Sequence, residues 1–92
     1  MTKSKLRWTQ ENLAHIDKHK VKKQHIEEIF NDKSRILLKG KYYQNRYTLI
    51  GRCGKRILTV ILADDEQKFT IVTARDSSKE ERVLYRENSK ND

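Results

Sequence analysis

The stretch RYTLIGRCGKRILTVILA, residues 46–63, decides the fold. Its first part, RYTLIGR (46–52), alternates. Tyr47 and Leu49 point to one side, Thr48 and Ile50 to the other, which is the period of two that marks a strand. Cys53-Gly54-Lys55 reads as a turn. ILTVILA (57–63) is apolar on both sides, as expected for a central strand covered on both faces.

Working outward, RILLKG (35–40) upstream and KFTIVTAR (68–75) downstream read as two more strands. The connections are short, so the simplest topology is an antiparallel meander of four strands. Before it the apolar period is helical. KKQHIEEIFND (22–32) places Ile26, Ile29 and Phe30 on one face of a helix. TQENLAHIDKHK (9–20) reads as an earlier helix capped by Thr9, with Leu13 and Ile16 facing inward and His15 and His19 on a neighbouring stripe. Val21 falls in the break between them, and Leu6-Arg7-Trp8 is at most a short strand. Trp8 and Phe30 are expected in the core, His25 on a solvated face, and Cys53 as an ordinary turn thiol. At the other end, Ser77-x-x-Glu80 and Ser78-x-x-Glu81 both fit a capping box, so the register stays open. A helix is expected from near Ser78 toward Asn88, packed on the sheet through Val83 and Leu84, with a frayed tail over 89–92. The class is α+β.

With 92 residues the chain is read as one small domain, 1–92, with a thin core. Lys and Arg number 21 against 13 Asp and Glu, a net charge of +8 that favours a polyanionic partner. No run is long enough to span a bilayer, and the start MTKSKLRW lacks the apolar region of a secretory signal. The lone Cys53 fits a reducing compartment, so a cytoplasmic protein with no membrane role is expected.

The meander also sorts charge. If strand 46–52 runs upward, Arg52, Arg56 and Arg75 all end at its top edge. Arg35, at the start of a descending strand, joins them, and Glu80 and Glu81 lie just beyond Arg75. The acidic turn Asp64-Asp65-Glu66 falls at the opposite end. Guanidiniums beside a helix N-terminus make an anion site. The plainer reading is that strand ends are exposed and Arg is common there.

These residues carry a resemblance. W-T-x-E-N-x-x-H-I-x-K-H-x-V (Trp8 to Val21) resembles the amino-terminal signature of BrnT toxins, as does E-x-I-F ending at Phe30. Y-T-L-I-G-R-C-x-x-R-I-L-T-V (Tyr47 to Val60) resembles that family's central hairpin, and I-V-T-A-R-D-S-S-K-E-E-R-V-L-Y (Ile71 to Tyr85) its closing strand and helix. The resemblance implies a RelE-like fold: two N-terminal helices, a four-stranded antiparallel sheet with room for a short N-terminal strand, and a C-terminal helix. It implies a ribonuclease toxin that inhibits translation, paired with a BrnA antitoxin of ribbon-helix-helix type, operator DNA being reached only through their complex. Homodimerisation is left open. The sequence departs from the family once, with Lys20 where Gly usually follows the second His.

Metal-independent RNA cleavage needs a base for the 2′-OH, cations for the phosphorane and an acid for the leaving group. Arg75 is the first choice for the phosphate, with Arg52 and Arg56 as helpers; salt bridges to Glu80 or Glu81 are the alternative. Glu80, Glu81, His15 and His19 compete for the base, although each Glu also fits a capping role and the histidines a helix contact. Arg82, Arg35, Tyr85, His15 and His19 are candidates for binding RNA, Tyr85 by stacking or through its hydroxyl, core packing being equally open. His15 and His19 have metal-ligand spacing, but no HExxH pattern or third ligand accompanies them, so no metal or other cofactor is expected. The rival class is a non-catalytic nucleic-acid-binding module or regulatory partner subunit using the same basic edge.

Overall fold

A computed structural model describes residues 5–7, 9–40, 45–65 and 68–90. The expectations for Trp8, Glu66, Asn91 and Asp92 lie outside these. Strand β1 (Lys5–Arg7) precedes helices α1 (Gln10–Asp17) and α2 (Lys23–Phe30). Strands β2 (Ile36–Lys39), β3 (Arg46–Cys53), β4 (Arg56–Asp65) and β5 (Lys68–Asp76) follow, and helix α3 (Lys79–Lys90) closes the chain. The sheet order is β1-β5-β4-β3-β2. Strands β2 to β5 form the expected antiparallel meander, and β1 adds to β5 in parallel. The central strand is β4, as its two apolar faces required.

One face of the sheet packs under α1 and α2. Leu49, Leu58, Val60, Leu62, Ile71 and Ala74 form a single core with Ile16, Val21, Ile26 and Ile29. Helix α2 comes close enough to β3 that a Cβ on Gly51 would lie 2.7 Å from the Cβ of Ile29. The other face carries the paired Ile50 and Thr59, both fully buried beneath α3.

Helix ends follow local chemistry. Thr9 caps α1 by accepting the Asn12 N–H at 3.0 Å. The exit from α1 is a Schellman turn: the Val21 N–H reaches Ile16 O at 3.2 Å and the Lys20 N–H reaches Asp17 O at 2.9 Å. Val21 and Ile16, at the two ends of this motif, are both buried. The turn puts Lys20 at φ 58°, a left-handed conformation that explains why Gly is usual there. The departure at this position therefore changes the residue and leaves a left-handed turn.

Three expectations are corrected. Leu13 is 38% exposed; the two turns of α1 bury Ile16 alone. His25 is not simply solvated, because its Nδ1 accepts the Lys22 N–H at 3.0 Å at the start of α2. Cys53 is buried at the end of β3, where burial first, and Glu28 beside it, push its thiol above the ordinary range.

Lys20→Gly is expected to raise the urea midpoint without changing the slope. Relief of a left-handed Lys outweighs the added chain entropy by about 0.5–1 kcal/mol. Gly51→Ala is expected to lower stability by about 1–3 kcal/mol in the same titration, because Ile29 has nowhere to retreat.

Candidate functional site

The start of α3 is fixed by one carboxylate. Glu81 Oε1 accepts from Arg75 Nη1 at 2.7 Å, the Ser78 N–H at 2.8 Å and the Thr59 hydroxyl at 3.0 Å. Its Oε2 accepts from Arg75 Nη2 at 3.1 Å. Since Thr59 gives its proton to Glu81, the 2.6 Å contact between Thr59 and Ser77 hydroxyls is donated by Ser77. The Glu81 N–H returns to Ser78 Oγ at 3.2 Å. The capping box is therefore Ser78 with Glu81, and Glu80 stands exposed on the side of α3. The Arg75 fork first, then the Ser78 and Thr59 donors, outweigh burial and bring Glu81 down to about 2. Arg75 is raised correspondingly, chiefly by the same carboxylate.

A second carboxylate pins the middle of the helix. Asp32 Oδ2 accepts the Tyr85 hydroxyl at 2.6 Å and the Arg52 N–H at 2.8 Å, and Oδ1 accepts the Ser34 N–H at 3.1 Å. Burial alone would raise Asp32; these hydrogen bonds and the Arg52 charge together hold it below the usual carboxylate range. Asn88 adds a bond to Ser34 O at 3.0 Å. Glu81, Tyr85 and Asn88 thus form the sheet-facing stripe, at helical spacing. This corrects the expectation for Val83 and Leu84, which are 46% and 50% exposed. Tyr85 is buried, with its hydroxyl committed to Asp32.

Between α3 and the β3–β4 turn lies a hollow of about 900 Å³. Arg52, Lys55 and Arg56 line it from the hairpin, and Lys79, Arg82 and Arg86 from one flank of α3. Asp76 is the one carboxylate in its wall among the described residues. Arg56 is held at two points: Nε donates to Asp76 Oδ1 at 3.0 Å and Nη1 to Lys20 O at 2.8 Å. Among the described residues, no hydrogen bond or ion pair ties the side chains of Lys55, Lys79, Arg82 or Arg86 to a carboxylate. The hollow is therefore strongly and unevenly positive, while Asp64 and Asp65 sit at the far end of the β4–β5 pair.

Of the residues singled out from the sequence, the structure brings Arg52, Arg56, Arg82 and Tyr85 together here. Arg75 is adjacent in the chain but closed on Glu81. Arg35 stays outside the lining and donates to Asp32 O at 3.0 Å. His15 contacts the Thr73 hydroxyl at 3.1 Å on β5, edge-on to His19 with ring centres 6.2 Å apart, and neither lines the hollow. The N-terminus of α3 is closed by its own capping box, which engages the Ser78 and Glu81 N–H groups. Sequence reasoning missed Lys55, Lys79 and Arg86. The pattern Lys79-x-x-Arg82-x-x-x-Arg86, a stripe on one helix face, was the signal for two of them.

A family profile described as "Ribonuclease toxin, BrnT, of type II toxin-antitoxin system" matches residues 8–81 of this chain. No curated protein matches it.

Glu81 sits lower in the folded chain than in the unfolded one. Its stabilisation is present above the ordinary Glu range and is lost as pH falls through it toward about 2. Glu81→Gln is expected to cost about 1.5–3 kcal/mol at neutral pH and to flatten the acid limb of stability. Chemical denaturation between pH 2.5 and 7 measures both.

Proposed function

The chain belongs to the BrnT family of ribonuclease toxins of type II toxin–antitoxin systems, and on that premise we propose that the basic hollow holds the scissile phosphate of single-stranded or messenger RNA. The observation that carries the reading is the unbalanced charge: among the described residues, six cations line the hollow against a single acidic residue, Asp76, that Arg56 already engages. A phosphodiester supplies the missing negative charge, and guanidinium forks fit its oxygens.

In this reading Arg52, Arg56 and Arg82 grip the phosphate and stabilise the charge that builds on it as the 2′-oxygen attacks. Lys79 and Arg86, spaced along α3, meet neighbouring phosphates of the same strand. Arg75 acts from behind. Its fork is closed on Glu81, so it fixes the helix that carries Arg82. Glu81, held near 2 and saturated with donors, is a positioning residue and a poor base. The chemistry is metal-independent, and the outcome is loss of message, arrested translation and arrested growth in the cytoplasm.

The family brings an antitoxin as partner. We take it to be of the BrnA type, with a ribbon-helix-helix part through which the complex reaches operator DNA; this rests on the family resemblance.

Arg52→Ala and Arg82→Ala are each expected to slow RNA cleavage about 100-fold or more without lowering the melting temperature. Each should also reduce the salt slope for an uncleavable 2′-deoxy oligonucleotide by about 0.7. Primer extension on total RNA, with and without the antitoxin, provides the cellular check. If both variants arrest growth as fully as the parent, the hollow is not the site. Tight, salt-sensitive binding with no cuts by the parent protein would assign it to a binding module instead.

A further inference from the structure

Every acid–base group singled out from the sequence lies outside the hollow or is engaged. His15 and His19 sit beside β5 and Glu80 is exposed on α3 outside the lining, while Glu81 is closed by Arg75, Thr59 and Ser78. One carboxylate remains in the wall among the described residues, and it belongs to Asp76.

Its position follows from strand register. Asp76 pairs with Leu58 and Arg75 with Thr59, so the two neighbours point to opposite sides of the sheet. Asp76 shares its side with Arg56, two residues before Leu58. Arg56 is braced on Lys20 O at 2.8 Å and presents Nε to Asp76 Oδ1 at 3.0 Å. The carboxylate is thus oriented by a fixed cation, and Asp76 lines the hollow together with Arg52, Lys55, Lys79 and Arg82. Among the described residues nothing is hydrogen-bonded to Oδ2, and the side chain is 65% exposed. A base held on one oxygen by an orienting group, with the other turned to the site, is the usual geometry of general-base catalysis.

We infer that Asp76 is the general base of the cleavage, an inference that rests on the ribonuclease reading of the hollow. Oδ2 takes the proton of the 2′-OH. The freed electron pair of O2′ forms the new bond to phosphorus, and the P–O5′ bond breaks. O5′ leaves with that bond's electron pair and takes a proton from water. The hydroxide so formed recovers the proton from Asp76. The products are a 2′,3′-cyclic phosphate and a 5′-hydroxyl end. Arg56 has two tasks, steadying the base and sharing the phosphorane charge.

The test is Asp76→Asn, which keeps an oxygen for Arg56 Nε and removes the proton acceptor together with its charge. Expected is a cooperatively melting protein, affinity for an oligonucleotide with 2′-deoxyribose at the cleavage position no weaker than the parent's, and single-turnover cleavage slower by about 100-fold or more. Asp76→Ala gives an independent arm, in which added formate restores part of the lost rate. Cleavage by Asp76→Asn within about threefold of the parent, on the scale that base catalysis sets, overturns the inference and leaves the ribonuclease reading standing. A loss in Asp76→Ala that formate does not touch also overturns it, assigning Asp76 to holding Arg56. A parent protein that binds RNA and never cuts it overturns both.

Discussion

The Glu81 carboxylate is the constraint on which the site depends. It receives two hydrogen bonds from Arg75, one from Thr59 and one from the Ser78 backbone, joining β5, β4 and the cap of α3 at one point. A charge engaged by this many donors is costly to separate from them, which is why the group titrates so far below an ordinary Glu. Helix α3 has few apolar residues to hold it: its sheet-facing stripe is Glu81, Tyr85 and Asn88. Polar bonds of fixed geometry do what a greasy stripe does elsewhere. They also fix rotation about the helix axis, and so decide that Lys79, Arg82 and Arg86 face the hairpin.

Charge is then divided by role. Arg75 and Arg56 spend donors on structure, one on Glu81 and one on Lys20 O and Asp76. Lys55, Lys79, Arg82 and Arg86, which have no ion pair among the described residues, line the hollow. In a protein of net charge +8, six cations thus line one hollow, while Asp64 and Asp65 lie at the far end of the same strands.

The meander was legible because alternation in 46–52 and the doubly apolar run 57–63 leave one arrangement that buries both. Thr9 and the Ser78 region were legible because caps act within three residues. What failed were the faces of short helices. In α1 and α3 the choice between Leu13 and Ile16, or between Leu84 and Tyr85, is made by distant partners. Asp32 shows why. Its two main bonds join residues 20 and 53 positions away, and no local pattern marks an Asp that will receive a tyrosine hydroxyl. Asp76 was passed over for a related reason. Beside Arg75 it looks like that residue's neighbour, yet a strand turns adjacent side chains apart, and its partner is across the sheet.

The parallel docking of β1 on β5 has a consequence for synthesis. Lys5 pairs with Lys68, so β1, once made, waits for β5 before this edge of the sheet can close. Contacts between such distant segments form late, after the loop entropy between them has been overcome. Every residue lining the hollow also comes from Arg52 or beyond. The hollow therefore cannot assemble until the second half of the sequence has been made.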